Sequence, residues 1–142
     1  TNTGSVGIGT AGPSYKLHVA GDVGATAYYY TSDEQLKKDI EKTNGLEIIN
    51  KLNGVLFTWK DSGKRSAGLI AQNVEKAFPA AVSTDSSTGI KSLDYGALTA
   101  PIVESIKELS QKNAEQDKKI ADLENEISVL KQEIGNLKQH ER

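Results

Sequence analysis

The sequence predicts an α+β chain with a short N-terminal β segment (1–31), a small mixed α/β unit (32–98) and a long C-terminal helix (99–142). Three observations carry that prediction. The first thirty residues alternate apolar and polar or glycine positions with a period of two. The middle holds helix caps and strand runs separated by Gly, Asn and Pro. The last forty carry a seven-residue apolar repeat with charges beside it. The 142 residues are 37% hydrophobic and 6% aromatic. That is lean for an independent core, so the chain is expected to share cores with copies of itself.

In the first section, SVGIGT sets Val6 and Ile8 between glycines, and YKLHV sets Tyr15, Leu17 and Val19 between polar residues. Both read as short strands. Gly12-Pro13 and Gly21-Asp22 are turn signals between and after them. Strands with so little apolar surface do not stand alone and need neighbours, most simply other copies.

Charge appears abruptly at Ser32-Asp33. Ser32 or Asp33 can cap a short helix running through Ile40. Asn44 can cap a second helix carrying Leu46, Ile48, Ile49 and Leu52 on one side and ending at Gly54. VLFTWK and SAGLI read as strands around the turn DSGK. AQNVEKAF suits a helix stopped before Pro79. AAV and IKSL then resemble strands flanking the loop STDSSTG.

From about Tyr95 the pattern is helical, with Pro101 either in the first turn or at a kink. Ile106, Ile120, Ile127 and Ile134 fall at heptad position a, and Leu109, Leu123, Leu130 and Leu137 at d. Asn113 and Gln116 form one polar interruption. The flanking pairs Lys119/Glu124, Glu126/Lys131 and Glu133/Lys138 are opposite in sign, as parallel in-register identical helices require. A helix packing on its own domain usually shows a wider apolar face than this strict seam. Ile at a with Leu at d favours two strands, whereas KIADLE resembles a trimer pattern. The seam alone leaves strand number open.

Composition excludes several classes. The net charge of −2 provides no basic stripe for nucleic acid. With no cysteine there is no disulfide framework, thiolate metal site or thiol nucleophile. No apolar run approaches a membrane span and no signal peptide opens the chain. The missing initiator Met points to a piece of something longer. GIGTAG fits a dinucleotide-binding spacing, but Pro13 and an alternating strand follow where a helix is required. His18 and His140 have no partner at ligand spacing, so no metal or other cofactor is expected. His18, between Leu17 and Val19, is expected to face outward.

Ser32 and Lys37 allow two readings. Ser-Asp ahead of a helix is ordinarily a cap. A serine and a lysine can also act as nucleophile and base. The lysine must then be neutral part of the time, which burial or a nearby charge such as Lys38 favours. Residues five apart on a helix point about 140° away from each other. Ser32 must therefore lie outside the helix, or the lysine must come from another subunit.

The landmarks SDEQLKKDIEK, LNGVLFTWK, AGLIAQNVEKAFPAAV and LDYGALTAPIVESIKEL, in that order, resemble the C-terminal intramolecular chaperone of phage endosialidases, tailspikes and L-shaped tail fibres. The same module occurs in bacterial surface fibres and in myelin regulatory factor. VGIGTAGPSYKLHVAGDV is similar to the stalk repeat of trimeric fibres and adhesins. The resemblance implies a parallel homotrimer whose folding client is the fibre segment upstream, located on a phage tail fibre or spike or on a bacterial cell surface. It implies a single-turnover serine autoprotease, with Ser32 as nucleophile, Lys37 as base and Thr31–Ser32 as the bond cut. Asp33, Gln35 and Lys38 are supporting candidates. Gln35 stands where the family usually has arginine, a departure that bears on cleavage. The alternative is a permanent, non-cleaving trimerisation end-cap.

Overall fold

The computed structural model describes residues 4–140. It is mixed α and β, with three two-stranded sheets and one long helix. The described residues form two compact units, 4–42 with 84–90, and 43–83 with 91–140.

In the first unit, β1 (Val6–Ile8) and β2 (Leu17–Val19) pair in parallel, with Val6 opposite Leu17 and Ile8 opposite Val19. The sequence placed both strands, and here they pair within one chain. Gly9 turns out of β1 at φ 73°. The side chains stay largely in solvent, because two strands have no second layer to bury against. His18 is half-buried rather than outward-facing. Its Nδ1 accepts from the Ser14 N–H at 3.3 Å, and its ring meets Tyr15 edge-on.

The loop at 84–90 belongs to the same unit and is organised by Asp85. Its Oδ1 accepts from Ser87 N–H at 2.8 Å, Ser87 Oγ–H at 2.6 Å and Thr88 N–H at 3.0 Å. A hydrogen bond from Ser14, then those from Ser87 and Thr88, hold the Asp85 carboxyl well below the usual carboxylate range.

The second unit begins with α1 (Gly45–Ile49), followed by the antiparallel pair β3 (Val55–Thr58) and β4 (Arg65–Gly68). Next come α2 (Ala71–Ala77), a 3-10 turn at Pro79–Ala81, and the paired β5 (Val82–Thr84) and β6 (Lys91–Leu93). The chain ends in α3 (Thr99–His140). Pro101 is buried in the first turn of α3, where its missing N–H costs no helical hydrogen bond. The core is Val74, Ala81 and Leu98, with Leu52, Leu69, Phe78, Val82, Leu93 and Ala97 packed on it.

Asn44 holds the N-cap position of α1 as expected, but its side chain does not cap. Its Nδ2 donates to Glu47 Oε2 instead. The first amides of α1 are satisfied by Glu108 of α3, whose carboxylate accepts from Gly45 N–H at 3.0 Å and Leu46 N–H at 3.3 Å. An anion at a helix N-terminus also suits the helix dipole. Only glycine fits at 45, because a Cβ there would overlap the backbone of Glu104 and Ser105.

Two of the sequence landmarks also meet in this unit. The Tyr95 hydroxyl accepts from Leu69 N–H at 3.0 Å and lies where a Cβ on Gly68 would go. The tyrosine of Leu-Asp-Tyr thus fastens the end of Gly-Leu-Ile to the approach to α3.

From Ile106 onward α3 presents the expected seam. Ile106, Leu109, Ile120, Leu123, Ile127, Leu130, Ile134 and Leu137 are all 48–65% exposed in the single chain. Asn113 and Gln116 share that exposure class. The His140 side chain lies outside the described residues.

Candidate functional site

The helix expected from Ser32 or Asp33 through Ile40 is not formed. One 3-10 turn at Glu34–Leu36 replaces it. Leu36 and Ile40 are 73% and 66% exposed, so a longer helix here would have no apolar contact to stabilise it. Lys37 leaves the turn extended, at φ −120° and ψ 150°, and Asp39 adopts φ 53°.

The cap of this turn is Asp33. Its Oδ1 accepts from Gln35 N–H at 2.9 Å, while Leu36 N–H donates to Asp33 C=O and Lys37 N–H to Glu34 C=O. With Asp33 as the cap, the hydroxyl of Ser32 is left for another partner. That partner is Lys37, whose Nζ donates to Ser32 Oγ at 2.6 Å. A continuous helix would have pointed the two residues apart. The short turn followed by an extended residue folds the lysine back over the serine within one chain. Both side chains are exposed to solvent in the single chain.

Thr31, on the N-terminal side, is exposed and outside any regular element. Gln35 contributes its backbone N–H to the turn. Lys38 pairs with Asp39 at 3.8 Å, and this highly exposed contact is worth little energetically. The structure brings Ser32, Asp33, Gln35 and Lys37 together in this turn. Sequence reasoning missed the roles of Glu108, Tyr95 and Asp85. The first two act on backbone amides more than twenty residues away, and no local spacing signals that.

GIGTAG is followed by β2, not by a helix, so its glycines do not present the amide cradle that a pyrophosphate requires. No helix among the described residues is long and apolar enough to cross a membrane.

Residues 32–83 match the family model described as chaperone of endosialidase. The match begins at Ser32, where the charged section starts, and it supports a chaperone role in fibre folding. No curated protein matches the chain.

Proposed function

Because residues 32–83 match the model described as chaperone of endosialidase, we propose that the chain assembles as a parallel homotrimer, templates the β segment ahead of it, and then releases itself by cutting Thr31–Ser32. The observation that carries this reading is the 2.6 Å contact between Lys37 Nζ and Ser32 Oγ, at the first residue of the family match.

Assembly rests on α3. A helix of this length is stable in water when its apolar stripe is covered, and half-exposed Ile and Leu at strict heptad positions are covered best by copies of the same helix. The basic-g, Glu-e arrangement around Ile120 and Leu123, together with the family, supports three strands over two. The seam forms from local contacts, so it forms fast and gathers three chain ends. Their raised effective concentration turns a three-body search into a local one. The glycine-rich segment upstream needs this help, since little side-chain packing penalises a slip of register there.

Release uses the dyad. Ser32 Oγ attacks the carbonyl carbon of Thr31 while Lys37, neutral in the reactive form, takes the hydroxyl proton. The C–N bond breaks as that proton passes to the Ser32 nitrogen, leaving Thr31 esterified on Ser32 Oγ. Water hydrolyses the ester, giving a Thr31 carboxylate and a free Ser32 amine on separate pieces. A neutral lysine requires desolvation or neighbouring positive charge. Copies packed around the site supply that environment, which ties cutting to assembly. Once the template is detached, assembly is irreversible.

The chaperone half is tested by expressing residues 1–31 without residues 32–142. The account expects no cooperative trimeric β-structure by circular dichroism and light scattering. A stable trimeric fold of that peptide alone would contradict it.

A further inference from the structure

The spacing that pairs β1 with β2 can be continued along the sequence past β2. Their register is a shift of eleven residues, Val6 to Leu17 and Ile8 to Val19, with residues 9–16 between them. A second shift of eleven lands on Tyr28–Tyr30, with residues 20–27 as a connector of equal length. The outer positions of each rung are large (Val and Ile, Leu and Val, Tyr and Tyr), and tyrosine favours strands. A third shift begins at Asp39, whose φ of 53° is incompatible with a strand. The spacing therefore leaves room for one rung beyond the sheet and no more.

The hydrogen bonds extend in the same way. Val6 N–H donates to Lys16 C=O at 2.8 Å, and Ala20 N–H donates to Ile8 C=O at 2.9 Å. Alternation along β2 then turns the backbone groups of Leu17 and Val19 to the opposite edge. Shifted by eleven, the same two bonds become Leu17 N–H to Ala27 C=O and Thr31 N–H to Val19 C=O. In the single chain β2 is an edge strand, and Tyr28, Tyr29 and Tyr30 lie outside every strand at 61%, 96% and 73% exposure.

We infer that in the assembled fibre Tyr28–Tyr30 closes on β2 of its own chain as a third parallel rung, with Thr31 N–H making the last hydrogen bond of the ladder. In one chain the rung gains little, because β1 and β2 offer no covered face on which to bury its side chains. Neighbouring copies provide that cover. The rung rests on the assembly proposed above, and its consequence for release rests on the cutting proposed there as well. The final bond pins the residue whose carbonyl is attacked, so completing the last rung of the client presents the bond to be cut.

The test uses the full chain carrying Ser32→Ala, which stays in one piece whether or not the native chain cuts itself. His18→Cys and Tyr29→Cys are added at positions that the repeat sets opposite each other, in a sequence with no other cysteine. Neighbouring strands lie about 4.8 Å apart, within the roughly 4.4–6.8 Å Cα range of a disulfide. Mild oxidation should therefore give an intrachain bond. His18→Cys with Tyr28→Cys, on opposite faces, should couple at least about tenfold more slowly. An interchain bond, no bond, or equal rates for the two pairs overturns the proposal. Hydrogen exchange on the cysteine-free Ser32→Ala chain gives a second reading. The Thr31 amide should exchange at least about a hundredfold more slowly than an unstructured amide, and exchange at the unstructured rate overturns the rung as well.

Discussion

Lys37 Nζ lies 2.6 Å from Ser32 Oγ across a single 3-10 turn, and both residues belong to one chain. If this pair performs the release, Ser32→Ala and Lys37→Ala each leave the chain uncut, and the double variant is no worse than either alone. Nucleophile and base act as one unit, so their losses do not add. Lys37→Arg is also inactive, because a guanidinium stays charged. Intact-mass measurements on the assembled proteins check all four variants. Cutting by Lys37→Arg at the native rate would remove lysine from the role of base.

Gln35 lends the turn its backbone N–H, which any residue except proline supplies, so its side chain can change without unmaking the turn. Gln35→Arg restores the cation usual in the family and should speed appearance of the Ser32 fragment. A time course against the native chain, at equal protomer concentration, reads the effect. An unchanged or slower rate would show that this position does not limit turnover.

The proposed assembly predicts a trimer by light scattering at micromolar concentration. Ile127→Asn with Leu130→Asn should weaken it, because two adjacent layers would then bury amides without designed partners. A native chain of monomer or dimer mass would contradict the assembly. So would a double variant that assembles as tightly as the native chain.

Glu108 reaches 63 residues back along the chain to hold Gly45 N–H. Glu108→Ala removes the carboxylate that accepts from the first amides of α1 and should cost about 1 kcal/mol, as loss of a helix cap does. Gly45→Ala should cost more, about 2 kcal/mol or above, because its Cβ meets the backbone of α3, which cannot yield as a side chain would. Denaturant titrations at fixed protomer concentration compare the two. A neutral Gly45→Ala would contradict the close approach of α1 to α3.

Asp85 gives a pH prediction. Hydrogen bonds from Ser14, Ser87 and Thr88 depress its carboxyl below the ordinary range. Stability from a depressed carboxyl is present above the unfolded value and lost as pH falls through the folded one. Asp85 should therefore remain ionised at about pH 3, where an unpaired aspartate, with a reference value near 3.9, is mostly protonated. Carbon-detected NMR titration reads it directly, and a midpoint near 4 would contradict the tie to Ser14.

Much of this arrangement is written locally in the sequence. The strands of VLFTWK and IKSL, the Pro79 stop and the start of α3 around Pro101 follow from period, turn residues and proline chemistry. Heptad spacing announces the exposed seam before any coordinates do. The turn at Ser32 is different. Ser-Asp followed by charges satisfies the rules for a helix start, yet no apolar contact waits for Leu36 or Ile40, so the helix ends after one turn. That failure is what lets Lys37 fold back, and periodicity cannot show it. Glu108 and Tyr95 were illegible for another reason. Each bonds a backbone amide far along the chain, and backbone amides carry no residue signature.

Everything proposed for Ser32 and Lys37 requires that the chain cut itself between Thr31 and Ser32 after assembling. Intact-mass and N-terminal analysis of assembled Gln35→Arg protein after prolonged incubation, beside the same protein carrying Ser32→Ala, decides this. The account predicts a fragment whose first residue is Ser32 in the former and only the intact chain in the latter. A proven trimer of Gln35→Arg that yields no fragment beginning at Ser32 would contradict it, leaving a permanent trimeric end-cap in which Ser32 does no chemistry.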